Sequence, residues 1–190
     1  MLEYKNASEE FAPQITKLVQ ETIASVYPKY YPKEVVDFFA GLHCEDAVRK
    51  DISNGNIRML LVEGCLAGTG SRESDHITRV YVSPSFQGKG YGTYIIKKLE
   101  EEIFSDYGRI YLDASLPACH LYETLGYKTS YHDKWEVENG VILVYEVMEK
   151  IRPEDIGQER PKKVLEEQSD SGKTEIFAAD VRDEALINRL

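Results

Sequence analysis

The chain has 190 residues, 42% of them hydrophobic, and carries a formal net charge of −10 at pH 7. That length suits one globular domain with room for an appendage, and no apolar stretch approaches the roughly eighteen residues of a membrane span. No basic cluster supplies the electrostatic footprint of a general nucleic-acid binder, while an acidic surface either favours a cationic small molecule or serves solubility alone.

The opening residues, Met1-Leu2-Glu3-Tyr4-Lys5-Asn6, place no basic region before an apolar run, so no secretion signal is expected. Leu2 to Lys5 reads as a short strand. Ser8 stands as a helix N-cap, with Glu9 and Glu10 in the first turn, where the helix dipole favours anions. Phe11, Ile15, Leu18, Val19, Thr22, Ile23 and Val26 recur at three- and four-residue steps, which predicts an amphipathic helix ending before Pro28. Pro32 starts a second helix that buries Val35, Val36, Phe38 and Phe39, and a short third runs from about Cys44 to Ile52. Strands follow: Ile57–Glu63 and Leu66–Arg72 flank a turn at Gly64-Cys65, and Ile77–Ser83 is a third, β-branched run. After a glycine-rich loop comes a helix with Ile95, Ile96, Leu99, Ile103 and Phe104 on one side and Lys97, Lys98 and three glutamates elsewhere, stopped at Gly108. Arg109–Ala114 is the next strand, and Pro117 opens a helix ending near Gly126. Asn139-Gly140 then joins Tyr127–Val137 to Val141–Glu149 as a hairpin.

This order predicts an α/β (α+β) fold: a mixed layer of strands around one parallel crossover, with helices on both faces. Residues 1–150 make that domain. From Ile151 the composition turns polar and charged, with Pro153 and Pro161. Residues 151–190 read as a linker and C-terminal arm. A strand over 174–178 and a helix over 181–190 would bury too little to fold alone, so they either pack on this or a neighbouring subunit, as in a homodimer, or form a disordered tail. Cys44, Cys65 and Cys119 are odd in number and far apart, and the four histidines show no ligand spacing. Neither a disulfide framework nor a metal is expected, and a reducing cytoplasm fits best.

The stretch VSPSFQGKGYGTY, Val82 to Tyr94, carries Gly88, Gly90 and Gly92 between a strand and a helix. A Walker A loop fails, because Ser83 stands where its first glycine belongs and Gly90 follows the lysine. A dinucleotide fingerprint fails too, with Thr93 in place of its third glycine. What remains is Gln-x-x-Gly-x-Gly opening a helix. The first helical amides lack intrahelical partners, the dipole adds about half a positive charge, and glycines keep side chains out of the way. Such a loop suits a phosphate or pyrophosphate, with Lys89 adding charge at its rim.

RVYVSPSFQGKGYG, followed about thirty residues later by ACHLYETLGY, resembles the GNAT superfamily of acetyl-CoA-dependent N-acetyltransferases. The resemblance spans roughly residues 1 to 149 and is most specific over 76 to 127. It implies a mostly antiparallel central sheet splayed between its fourth and fifth strands, here Ile77–Ser83 and Arg109–Ala114. Acetyl-CoA is the implied cosubstrate. Its pantetheine arm would pair with the main chain of Val80, Tyr81 and Val82 as an added strand. Gln87, Gly88, Lys89, Gly90, Tyr91 and Gly92 would hold the pyrophosphate, with Thr93 close by.

Acetyl transfer to an amine requires loss of a proton from an ammonium of pKa about 10, donors for an oxyanion, and a proton for the departing thiolate. A backbone N–H on the splayed strand serves the oxyanion. The resemblance implies Tyr122, after the leucine of LYETLGY, as the acid, and a phenol near pKa 10 matches a thiol leaving group. The plainer reading is a helix tyrosine at the core edge. Many relatives carry a glutamate eleven residues before the loop glutamine; His76 stands there. A histidine accepts a proton directly or through water, and Glu73 and Asp113 are reserve bases. Ser115 occupies the place of a frequent asparagine and either touches pantetheine or caps the next helix. Cys119 and His120 point about 100° apart on a helix and make no dyad, so Cys119 reads as a core residue. His43 and His132 read as surface residues. Tyr27, Tyr30 and Tyr31, in SVYPKYYPKE, either bind a cationic acceptor by their ring faces or pack a proline-rich corner.

Four functions compete: acetylation of a small-molecule amine, acetylation of a protein amine, a non-catalytic acyl-CoA sensor, and a nucleotide-binding regulator. The failed Walker and dinucleotide patterns count against the last.

Overall fold

The structure is a computed structural model and describes residues 1–156. The strand expected over 174–178 and the helix over 181–190 lie outside the described residues.

Seven strands form one sheet in the order β1-β2-β3-β4-β5-β7-β6. They are β1 (Leu2–Asn6), β2 (Ile57–Val62), β3 (Cys65–Glu73), β4 (His76–Val82), β5 (Arg109–Ala114), β6 (Lys128–Glu136) and β7 (Ile142–Ile151). Only β4 and β5 run parallel; every other neighbouring pair is antiparallel. The helices are α1 (Ala12–Val26), α2 (Lys33–Leu42), α3 (Glu45–Ser53), α4 (Tyr91–Asp106) and α5 (Cys119–Thr124). Helix α4 is the crossover that lets β5 lie parallel to β4. Among the described residues no helix is long and apolar enough to cross a membrane.

Strand alternation splits the interior into two cores. Val80 and Val82 of β4 and Ile110, Leu112 and Ala114 of β5 face α4 and α5, where Ile95, Ile96, Leu99, Ile103 and Tyr122 cover them. On the other face Tyr81, Tyr145 and Val147 meet Ile15, Val19 and Ile23 of α1, Val35 and Phe39 of α2 and Val48 of α3. Helix α4 lies unusually close to β3. A Cβ on Gly70 would stand 2.5 Å from Ile95 Cγ2, and one on Gly68 2.8 Å from Ile95 Cδ1. Those two glycines form the floor on which α4 rests.

Several local expectations change in detail. The β2–β3 turn is centred on Glu63-Gly64, with φ of 49° and 79°, and not on Gly64-Cys65. A two-residue hairpin of this kind needs positive φ at both centres, and Cys65 already belongs to β3. Ser8 does not cap α1: its hydroxyl donates to Glu10 at 3.1 Å, and a 3-10 turn over Glu9–Phe11 precedes the helix. Glu100, expected on the polar side of α4, is buried and holds Lys150 of β7 at 2.8 Å. The sheet also runs past the boundary at residue 150. Ile151 pairs with Arg109, and Arg152 Nη1 donates to Phe104 O at 3.0 Å, fastening the chain after β7 to the end of α4.

Candidate active site

Strands β4 and β5 are joined at two positions, His76 with Tyr111 and Ile77 with Leu112. Beyond them β4 stays paired with β3 as far as Val82, and β5 stays paired with β7 as far as Ala114, but not with each other. A local cause is visible in β4. Ser71 pairs with Arg79 and Arg72 with Ile77, which leaves Thr78 as a bulge. Such an extra residue bends its strand, and Thr78 Oγ1 lies 2.8 Å from Ser71 Oγ to hold the bend. The edge of β4 that carries Val80, Tyr81 and Val82 therefore faces an opening in the sheet.

The glycine loop stands at the mouth of that opening. Gly88 and Gly90 take φ of 73° and 85°, and Gly90 is the left-handed residue from which α4 starts. A Cβ at either would meet nothing within 4 Å, so the glycines are needed for backbone shape and leave open space beside it. No side chain caps α4. Among the described residues the amides of Gly88, Lys89 and Gly90 donate to no main-chain carbonyl. Those of Tyr91 and Gly92 precede the first helical bond, from Tyr94 N–H to Gly90 O at 3.0 Å. This cradle fits a diphosphate. The Gln87 side chain is occupied otherwise: Nε2 donates to Val82 O at 2.9 Å and ties the loop to the end of β4. Lys89 is exposed, donates to Ser85 O at 3.2 Å and lies over the Phe86 ring.

Behind the opening, the chain after β5 makes a 3-10 turn over Leu116–Ala118 and enters α5. Tyr122 is fully buried there, edge-on to Tyr127 with ring centroids 5.4 Å apart. Ser115 does not cap: it flanks the turn without a side-chain cap bond, and its hydroxyl is buried. The Cys119 thiol is pushed up to about 12 by burial and by Glu146 and Glu123, which keeps it protonated and unreactive. Of the three tyrosines in the α1–α2 connection, Tyr27 and Tyr31 are buried and Tyr30 is exposed. Tyr27 and Tyr81 place their hydroxyls 3.4 Å apart, and burial raises both well above the ordinary phenol value. The Tyr31 hydroxyl accepts the Leu116 N–H at 2.7 Å, so the α1–α2 connection is fastened across the gap to the segment leading into α5.

At the root of the opening, His76 Nε2 lies 3.2 Å from Asp113 Oδ2, and its ring stacks on Tyr111 with centroids 4.3 Å apart. The Tyr111 phenol is pushed up to about 12 by burial and by Asp75 and Asp113, so it stays neutral. Farther along β4 the side chain of Arg79 is fully buried. Its Nη1 is 3.0 Å from Asp51 Oδ2 of α3, and its Nε lies 3.4 Å from His43 Nδ1. His43 is thus no surface residue. It is fully buried, and burial with the adjacent Arg79 charge holds its pKa well below the usual imidazole value. His132 does lie at the surface, 3.6 Å from Glu146. The sequence reading missed the Arg79 cluster. The one available signal was a charge inside the β-branched run of β4, on the same side as Tyr81.

Comparison with known proteins decides the family. Residues 26–151 match the model of the acetyltransferase (GNAT) domain. The chain belongs to the GNAT family. It is an acetyl-CoA-dependent acyltransferase, and its sheet, parted between β4 and β5, is the family's fold. Among solved structures, the chain is similar to a GCN5-related N-acetyltransferase from Rhodopseudomonas palustris, with a TM-score of 0.72 and 23% identity over 78% of this chain and 94% of that one. It is also similar to the PaiA N-acetyltransferase of Thermoplasma acidophilum in complex with coenzyme A (TM-score 0.63, 16% identity, 80% and 99% covered). A third is yncA of Salmonella typhimurium, a putative acetyltransferase with its cofactor acetyl-CoA (TM-score 0.57, 15% identity, 80% and 94% covered). A search of curated proteins finds no match.

Proposed function

We propose that this GNAT protein moves an acetyl group from acetyl-CoA to the primary amine of a cationic small molecule by direct attack, with Tyr122 as general acid and His76 as general base. The observation that carries the reading is the opening between β4 and β5 with an uncapped helix N-terminus at its mouth. Acetyl-CoA supplies an activated thioester. The amides of the glycine loop bind its pyrophosphate, and the free edge of β4 over Val80, Tyr81 and Val82 pairs with the pantetheine. Amides in the bend around Thr78 orient the acetyl carbonyl and steady the charge that gathers on its oxygen. His76 takes the proton the amine must lose, and Tyr122 gives the thiolate its proton from the α5 side.

The cationic acceptor is inferred from a cavity of about 320 Å³ between α2 and the β6–β7 turn, lined by Glu34, Asp37, Glu138 and Phe38, in which Asp37 is already paired with Lys33. The net charge of −10 would draw such a substrate in.

Binding and chemistry are tested separately. Acetyl-CoA at 100 times its dissociation constant stabilises the folded state by about 2.7 kcal/mol, a visible melting shift. A shift with ATP or NAD but none with acetyl-CoA would overturn the reading. Thiol release is then followed with monoamines, diamines and polyamines. Tyr122→Phe should lower turnover about a hundredfold with the acetyl-CoA melting shift kept, and an unchanged rate excludes Tyr122 as the acid.

A further inference from the structure

We infer that Asp113 is a positioning residue that fixes the tautomer of His76, taking the Nε2–H and leaving Nδ1 with the lone pair that accepts the proton of the incoming amine. This deepens the proposed acetyl transfer and rests on it.

The two residues sit where β4 and β5 part. His76 is the first residue of β4 and pairs with Tyr111, while Asp113 is one residue beyond Leu112, the last of β5 to pair with β4. Tyr111 and Asp113 alternate with Ile110, Leu112 and Ala114, which face the α4 core. They therefore project to the opposite face. Asp113 Oδ2 reaches back to within 3.2 Å of Nε2, and the two side chains keep only 14% and 9% of their surface in contact with solvent. A carboxylate so far withdrawn from water needs a donor. Among the described residues, His76 is the basic side chain within ion-pair distance of it. The Tyr111 ring, 14° from parallel, holds the imidazole plane from beneath.

Other charged groups surround the pair without replacing Asp113. Glu73 of β3 is the ladder partner of His76 but is exposed and lines the small cavity over Arg79. Asp75 is engaged by Arg109 at 3.5 Å. Glu149 of β7 lies opposite Tyr111, one strand farther away. Among the described residues Nε2 makes no hydrogen bond, although Oδ2 lies 3.2 Å away, so this contact must become a hydrogen bond in the substrate complex; catalytic hydrogen bonds often tighten only when substrate is bound. In the reaction the N–H bond of the attacking amine breaks, its electron pair stays on the forming amide nitrogen, and the proton goes to Nδ1. Asp113 offsets the charge of the resulting imidazolium until the proton passes to solvent.

The test compares wild type with Asp113→Ala, Asp113→Glu, His76→Gln and the double variant His76→Gln/Asp113→Ala. Nitrogen NMR of the imidazole reads the tautomer directly and needs no turnover. The Nε2–H form is expected in wild type, with loss of that preference in Asp113→Ala and its return in Asp113→Glu. In kinetics, Asp113→Ala should lower kcat/KM about tenfold, less than the 10²–10⁴ expected for loss of the general base itself. It should also leave KM for acetyl-CoA unchanged. The double variant should be no worse than His76→Gln alone. Should the truncation fail to fold, Asp113→Asn keeps the shape, removes the charge, and is judged by the same tautomer measurement. An unchanged tautomer, or a loss from Asp113→Ala of equal size in the His76→Gln background, would overturn the inference; the latter would make Asp113 a base in its own right. A wild-type protein that releases no thiol with any amine would remove the acetyl-transfer reading, while the tautomer measurement would still decide the pair.

Discussion

The two faces of the sheet are built differently. Under α4 and α5 the core is mostly aliphatic, with Ile95, Ile96, Leu99 and Ile103 on Val80, Val82, Ile110 and Leu112, joined by Tyr122, Tyr127 and the Glu100–Lys150 pair. Under α1, α2 and α3 the buried residues include Tyr27, Tyr31, Tyr81, Phe39, His43 and Arg79, with Asp113 near the root of the gap. Aliphatic packing is non-directional and tolerates no water, so it fixes α4, and with it the glycine loop, rigidly. The polar face has specific partners and holds side chains at set angles, which suits proton transfer. A sheet normally keeps its two faces apart. In the proposed reaction, the place where β4 and β5 separate, beside the bulge at Thr78, is where Tyr122 from one face and His76 from the other would approach the same thioester.

If the polar face depends on its directed contacts, the largest effect should follow from removing Arg79. Arg79→Met leaves Asp51 without its cation, and a chemical-denaturation curve should show a loss of about 3 kcal/mol; this is the low end for a broken buried pair, since Asp51 keeps some contact with water. A loss below about 1 kcal/mol would mean the cluster is packing only. On the aliphatic face the corresponding probe is Gly70→Ala. Its new methyl must displace Ile95 and Leu99, and about 1–3 kcal/mol should be lost, with acetyl-CoA affinity falling as α4 shifts.

Acid should separate the faces next. His43 is held neutral by burial and then by Arg79, so its pKa in the folded chain is depressed. The unfolded chain titrates near 6.5 and binds a proton the folded chain refuses. Stability is therefore at its full value above that pH and falls as pH drops below about 6.5, by at most about 1.4 kcal/mol per unit from this group. Melting temperatures across pH 7.5 to 5 (about the working range) should show the slope, and His43→Phe should flatten it. The smallest effect belongs to the exposed rim of the loop. Lys89→Ala should raise KM for acetyl-CoA about two- to fivefold, more at low salt than at high, as for a charge worth roughly 0.3–1 kcal/mol.

Short-range chemistry explains which of these features showed in the chain itself. The helical spacing of Ile15, Leu18, Val19 and Ile23 and the β-branched run through Val82 settled those elements, because their periodicity is a property of neighbours. The Asn139-Gly140 turn behaves likewise, with both residues at positive φ. Gly88 and Gly90 announced their backbone, and Tyr122 its helix. His43, Arg79 and Glu100 were misjudged or missed for one reason. A charged residue in a strand or helix normally faces water, and each of these instead found a partner from a distant segment: Arg79 with Asp51, Glu100 with Lys150.

From its order of residues alone, this protein was bound to make strands, helices and a loop whose amides lie open to a phosphate, since those depend on local torsions and on the spacing of apolar side chains. That His76 would meet Asp113, that Tyr31 would fasten to Leu116, and that His43 would lie in the dark beside a guanidinium depended on strands and helices folding against one another. Burial removes water as a competing partner, and which partner replaces it is a matter of three-dimensional neighbours.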